Sequence, residues 1–201
     1  DDIHDYDRFA SEVPIHFYNN LLPYIEKIKR GEPDILYPGK TQKFAVSSGT
    51  TGQGKHLPLT DDRLASDGAF MKLVAYHYFK QRMNPFRLIG KQLSLPGSIE
   101  QKGSLQIGEI SGFSALNSPA WLRPFQLVEP AELTRLDFRE KFDLLLEKAI
   151  EANIKMITAV PSWILTLFQQ ALSRTGKENI CQLWPNLKLI VCGGVKLANY
   201  R

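Results

Sequence analysis

The sequence predicts an α/β fold: a parallel sheet with crossover helices, joined to a β-rich segment that carries a glycine-rich loop. Three observations predict it. Residues 137–201 alternate helical and strand patterns in the order αβαβ, which calls for parallel strands linked by helices and buried on both faces. Residues 86–118 read as short strands and turns. Between the helical N-terminal segment and these strands, residues 44–55 run Phe-Ala-Val-Ser-Ser-Gly-Thr-Thr-Gly-Gln-Gly-Lys, a short apolar run opening into glycines and hydroxyls.

The chain divides by pattern into residues 1–40, peripheral helices; 41–60, a hairpin around the loop; and 137–201, the αβαβ segment. Tyr6–Ser11 is a short helical stretch. Asn20 is placed as the cap of a helix from Leu21 to Arg30, stopped by Gly31, with Pro23 in its first turn. Leu21, Leu22, Ile25 and Ile28 give that helix one apolar face. Thr60 caps the next helix, Asp61 and Asp62 suit its first turn, and Leu64, Gly68, Met71, Ala75 and Phe79 recur at helical spacing to about Arg82. Tyr76, His77 and Tyr78 are expected to be core or rim residues rather than a site. Leu88-Ile89 and Gln92–Leu95 are read as extended, Pro96-Gly97 as a turn, Leu105–Ile110 as a strand, Ser118–Leu122 as a short helix and Pro130 as the end of a loop. Asp137 with Glu140 forms a capping box ahead of Phe138, Phe142, Leu145, Leu146, Ala149 and Ile150. Ile154–Val160 is an apolar strand. Pro161 opens a helix that Gly176 ends. Glu178–Leu183 is a short helix, and Leu187–Cys192 is a strand running into Gly193-Gly194.

Composition excludes several classes. The 201 residues are 43% hydrophobic and 23% charged, with net charge +4. The basic residues are scattered, so neither nucleic acid nor a membrane surface is indicated as a partner. No apolar run approaches the ~18 residues of a spanning helix. The start, Asp1-Asp2-Ile3-His4, lacks a signal-peptide pattern, and a cytoplasmic location is expected. Without an initiator methionine, and stopping at Arg201, the chain is expected to be cut from a longer one. Cys181 and Cys192 lack metal spacing and are expected to be buried free thiols.

Glycines let backbone N–H groups converge, hydroxyls add donors and lysine adds a mobile cation. Ser47, Ser48, Gly49, Thr50, Thr51, Gly52, Gly54 and Lys55 therefore suit a polyphosphate. A Walker loop needs a hydroxyl where His56 stands, and it opens a helix where Pro58 stands. The layout is strand, phosphate loop, strand. Two strand ends are further candidates, because ligands gather beyond the carboxyl ends of parallel strands. At Val160, Pro161, Ser162 and Trp163, amides and a hydroxyl can meet an anion and the indole can wall a pocket; a well-capped helix with a core tryptophan explains the same residues. At Gly193, Gly194 and Val195, two glycines admit a flat ligand; a tight turn explains them equally. No nucleophilic triad or metal motif is present in the sequence, and Glu109 has no assignment.

Ser47-Ser48-Gly49-Thr50-Thr51-Gly52 with Lys55 resembles the phosphate loop of adenylate-forming enzymes, although Gly54 stands where many members have proline. Together with Gly108-Glu109-Ile110-Ser111, Val160–Trp163 and Trp184-Pro185-Asn186-Leu187 leading to Cys192-Gly193-Gly194, it resembles the auxin-responsive GH-three family of acyl-acid amido synthetases, in its bacterial form. The resemblance covers nearly the whole chain. It implies the N-terminal part of an adenylation domain and an enzyme that uses ATP and Mg²⁺ to adenylate a small carboxylic acid. An amino acid amine then takes the acyl group as an amide. It implies that Ser47, Ser48, Gly49, Thr50, Thr51, Gly52 and Lys55 meet the phosphates. Gly193, Gly194 and Val195 would border the adenine, and Val160, Pro161, Ser162 and Trp163 the acid. It places the ribose-binding aspartate and a mobile C-terminal domain beyond Arg201, so this piece alone is expected to be inactive. An acyl-CoA ligase and a non-catalytic nucleotide-binding module are the alternatives.

Overall fold

The computed structural model describes residues 5–47, 54–82 and 84–193. Helix α1 spans Tyr6–Glu12, its first turn closed by the Asp5 carboxylate accepting from Arg8 N–H. Helix α2 spans Tyr18–Lys29, so it begins three residues before the expected start. Asn20 works from inside the helix: its Oδ1 accepts from the Phe17 N–H at 3.1 Å. Pro23 therefore lies inside the helix rather than in its first turn. The helix still stops where Gly31 takes φ +84°. Ile25 and Ile28 are buried with Phe44 and Ile107, which lays α2 on the sheet that carries the loop.

That sheet has four strands in the order β2-β1-β5-β4. They are β1 (Lys43–Val46), β2 (His56–Pro58), β4 (Ile99–Lys102) and β5 (Leu105–Gly108). Strands β1 and β2 are antiparallel, so the hairpin expected around the loop is present. Thr41 Oγ1 donates to Leu59 C=O and Leu59 N–H donates to Lys43 C=O, which closes its open end. Strands β1 and β5 are parallel, with Ala45 opposite Gly108.

Helix α3 (Asp61–Arg82) starts at Thr60, whose Oγ1 accepts from Arg63 N–H. Its expected inner stripe is only partly inside. Leu64 packs with Leu59 and Phe113, whereas Met71 is 57% exposed. Phe70 and Tyr76 are exposed too, which puts Tyr76 at the rim rather than in the core. Apolar residues on every side of α3 leave it no single face to bury.

A second sheet has the order β3-β6-β7, all parallel. Its strands are β3 (Lys91–Ser94), β6 (Ile154–Ala159) and β7 (Leu189–Cys192). The α/β class with a parallel sheet and crossover helices is therefore as the sequence predicts. Burial differs from the expectation: Ile154 and Ile157 are fully buried, but Ile190 in β7 is 42% exposed. Helices α6 (Phe138–Glu151) and α7 (Pro161–Thr175) pack against each other and share one core with β3 and β6. The capping box at Asp137 and Glu140 forms as expected. Pro161 is the first residue of α7, and Gly176 closes it at φ +66°.

Two connections differ from the sequence reading, and a third, at Pro130, ends its loop as expected. Leu88 ends a 3-10 turn, Pro85–Leu88, rather than a strand. Ile110–Leu116 is a helix, α4, because Glu109 leaves β5 extended and its carbonyl accepts from Gly112 N–H. Pro130 opens the short helix α5 (Pro130–Leu133), since proline fits a first helical position. Among the described residues the last helix is α8 (Ile180–Leu183), capped by Asn179. Cys181 is exposed and Cys192 is half-buried, so neither is the buried thiol expected.

The two sheets meet where backbone approaches backbone closely. A Cβ on Gly108 would lie 2.4 Å from the Ser98 carbonyl oxygen, and one on Gly112 would lie 2.5 Å from that of Gly97. Backbone cannot yield as a flexible side chain can. Gly108→Ala is expected to destabilise the protein by about 1–3 kcal/mol, the usual cost of overpacking, read as a lower urea midpoint; an unchanged midpoint would show that the joint is slack.

Candidate functional site at the strand ends

Ser47 and Lys55 flank the strands of the β1–β2 hairpin. Ser47 N–H donates to Lys55 C=O at 3.1 Å, which joins the two stems where the loop begins and ends. A Cβ on Gly54 would fall 2.2 Å from Val46 Cγ1, so the returning stem presses on the outgoing one. Ser47 is half-buried and Lys55 is exposed. Ser48, Gly49, Thr50, Thr51 and Gly52 lie outside the described residues, as do Gly194 and Val195.

Tyr18 from α2 supports the returning stem. Its hydroxyl accepts from the His56 N–H at 3.0 Å. Its ring lies under the Lys55 ammonium, 5.5 Å from centroid to Nζ. Sequence reasoning missed Tyr18, since nothing in the spacing of residues 18 and 55 announces the contact.

Burial pushes the His56 imidazole below its usual 6.5; Lys29 and Lys102 act in the same direction and Glu26 opposes them. His56 is therefore neutral at pH 7, and the cation at this stem is Lys55. Because the unfolded chain takes up that proton more readily, this contribution to stability is complete above about pH 6.5 and is lost as pH falls. An NMR titration of His56 is expected to give a midpoint below 6.5; a midpoint at or above it would contradict the burial argument.

The second and third candidate segments leave the parallel sheet side by side. Ala159 is opposite Cys192, so Val160 follows one strand and Gly193 the other at the same edge. Val160 precedes α7 without a side-chain cap, and its carbonyl accepts from Trp163 and Ile164 N–H. Pro161 is buried, Ser162 is exposed, and Trp163 is half-buried against Phe138 at 4.7 Å between ring centroids. Gly193 has open space where a Cβ would stand. Trp184 sits in the core rather than at this edge, at 2% exposure.

A further strand end joins them. Ser94 is opposite Thr158, and Leu95 N–H donates to Thr158 C=O, so Pro96-Gly97-Ser98 leaves the sheet beside Val160. The same turn touches the end of β5: Glu109 N–H donates to Ser98 C=O at 3.2 Å, and Gly97 N–H donates to Ser111 Oγ at 2.9 Å. Glu109 lies over Gly97, its Cβ only 2.3 Å from where a Cβ would stand. The carboxyl ends of β1, β5, β3, β6 and β7 thus follow one another in a continuous row. Ser47, after β1, lies at one end of the row and Gly193 at the other.

Among the described residues, no group of three histidine, cysteine or acidic side chains is placed to hold a metal ion. No helix among them is long and apolar enough to cross a membrane.

A model of the GH3 family N-terminal domain matches residues 1–171. Among solved structures, AtGH3.15 acyl acid amido synthetase in complex with 2,4-DB is similar at a TM-score of 0.63 and 23% identity, over 85% of this chain and 31% of that one. A structure described as GH3.15 acyl acid amido synthetase gives the same values. At that identity the likeness is one of fold, and this chain spans under a third of their length. No curated protein sequence matches. With the family's N-terminal domain matched over residues 1–171, the chain belongs to the GH3 family.

Proposed function

We propose that this chain carries the N-terminal part of an ATP-dependent ligase that adenylates a small carboxylic acid and passes the acyl group to an amino acid amine. The observation that supports it is the row of carboxyl ends, which runs from Ser47 after β1 to Gly193 after β7. Ligands gather beyond the carboxyl ends of parallel strands, and in this reading the triphosphate takes one end of the row, the flat base the other and the reacting carboxylate the middle. Two solved structures of similar fold are described as acyl acid amido synthetases, which points the same way.

The chemistry asks for orientation and charge rather than a protein nucleophile. A carboxylate and a triphosphate repel each other, so fixed donors and a cation at the phosphates must offset that charge. In this reading Lys55 supplies the cation from the hairpin stem. Ser47 starts the donor set, and Ser48, Gly49, Thr50, Thr51 and Gly52 continue it on the strength of the motif. Val160, Pro161, Ser162 and Trp163 form the acid's wall, stiffened by Phe138. Gly193, with Gly194 and Val195, admits the adenine. A Mg²⁺ ion suits a site that offers few protein ligands, because it is commonly held by substrate phosphates and water. It would supply charge neutralisation there. Holding both reactants in one frame contributes much of such a rate, up to ~7–11 kcal/mol.

ATP–pyrophosphate exchange by the full-length protein across a panel of carboxylic acids tests this. Acid-dependent exchange is expected, with an amide formed when amino acids are added. No exchange with any acid would defeat adenylation and leave a nucleotide-binding module. A thioester formed with CoA, and no amide, would make the protein an acyl-CoA ligase.

A further inference from the structure

Lys141 is a lysine inside the protein. It lies on α6 at 2% exposure, among Phe142, Leu145 and Leu146. A lysine at such a position is costly unless its ammonium finds partners. The partners here are two: Lys141 Nζ donates to the Pro96 carbonyl at 2.6 Å and to Ser98 Oγ at 3.0 Å. Ser98 Oγ in turn donates to the Leu136 carbonyl at 2.7 Å. Ile99 N–H donates to the Thr134 carbonyl at 2.8 Å, immediately beyond. Desolvation weakens the ammonium, and the Glu109 and Asp137 carboxylates favour it.

These contacts all converge on one turn. Pro96-Gly97-Ser98 is the direct chain link between the two sheets, because β3 ends at Ser94 and β4 begins at Ile99. The loop sheet lies on one side of the turn and the Val160 and Gly193 strand ends on the other. A small rotation there would move the triphosphate end of the row against the acid end. Gly97 packs under Glu109, and Gly108 and Gly112 pack on the turn's own backbone. The turn is therefore clamped from the β5 side by close packing and from the α6 side by Lys141.

We propose that Lys141 is a positioning residue, whose buried ammonium locks the Pro96–Ser98 turn and so holds the phosphate-loop sheet in register with the acid- and adenine-side strand ends. The proposal rests on the ligase reading for its effect on rate. It gives Glu109 a place as the carboxylate beside this lock, over Gly97.

Lys141→Met keeps an unbranched side chain of similar length and removes the donor. Two measurements on the full-length protein decide the matter. In hydrogen exchange, the peptide covering residues 95–101 is expected to lose protection by at least about tenfold in Lys141→Met, as its anchoring bonds go. The α7 peptide keeps its protection. In ATP–pyrophosphate exchange, kcat is expected to fall at least about tenfold while KM for ATP stays within about twofold, since misplacing bound reactants costs rate more than binding. A turn as protected as in the unsubstituted protein would overturn the lock. A loosened turn with unchanged kcat would overturn the positioning role. If Lys141→Met does not fold, Ser98→Ala, which keeps the Pro96 contact, is expected to shift both readings in the same direction by a smaller factor; no shift in either would overturn the proposal. Absence of exchange in the unsubstituted protein would defeat the ligase reading and the rate effect with it, while hydrogen exchange would still decide the lock.

Discussion

Trp184→Ala is expected to destabilise the protein by about 3–5 kcal/mol, the range for removing a large aromatic from a packed core. The indole is 2% exposed in the core shared by β3, β6, α6 and α7. Its ring lies 6.0 Å from that of Phe168, centroid to centroid, on α7. Its Nε1–H donates to the Ala149 carbonyl at 2.8 Å. That carbonyl belongs to the last turn of α6, where it also accepts from the Ala152 N–H at 3.3 Å. Trp184 therefore fills volume and ties off α6 where it hands over to β6. Trp184→Phe separates the two contributions. It keeps most of the packing and leaves the bond unmade, so a smaller loss of about 1–3 kcal/mol is expected. Urea unfolding of both variants provides the comparison. If the alanine variant lost less than about 1 kcal/mol, Trp184 would not be a core anchor, and its place in the sequence motif would need a role at the site.

Lys55→Ala is expected to lower ATP–pyrophosphate exchange by a factor of about ten or more, on the scale of one charge-assisted contact to a phosphate, roughly 1.5–3 kcal/mol. The structure makes this a clean test. Lys55 is exposed, and its ammonium lies over the Tyr18 ring. An exposed contact of that kind contributes only about 0.5–1 kcal/mol, so stability should change by no more than that. The hairpin stem is held by backbone, through Ser47 N–H on Lys55 C=O and His56 N–H on the Tyr18 hydroxyl, and alanine keeps both bonds. A large fall in exchange at nearly constant stability assigns the effect to the charge. Unchanged exchange would remove Lys55 from the phosphate site and leave the backbone donors of the loop as its whole basis.

Much of the fold was legible where the signal is local. Asp137 and Glu140 announced the start of α6, Pro161 and Gly176 bounded α7, and the apolar run from Ile154 marked β6. Each of these depends on hydrogen bonds or backbone angles within a few residues. Strand β4 was not legible, because Ile-Glu-Gln-Lys offers one apolar residue and gains its identity only by pairing with β5. Helix α4 was hidden by Ser111 and Gly112, poor helix formers that are used here because a Cβ at Gly112 would strike the Gly97 carbonyl.

The candidate site divides in the same way. The glycine-hydroxyl loop, the Val160–Trp163 segment and Gly193 were each visible, since each is a short run with its own composition. Their arrangement was not. That Gly193 stands next to Val160 follows from Ala159 pairing with Cys192, and that both connect to the loop sheet follows from the Pro96–Ser98 turn. Lys141 shows the limit most sharply. In the sequence it is a lysine on an amphipathic helix, which predicts a solvated side chain. Its burial depends on Pro96 and Ser98, more than forty positions away in the chain. Sequence by itself determined the class of fold, the boundaries of the well-capped helices and the family, because those are carried by neighbouring residues. Tertiary structure alone decided which strand ends share an edge and which lysine is inside, because pairing and burial depend on partners that only the folded chain brings together.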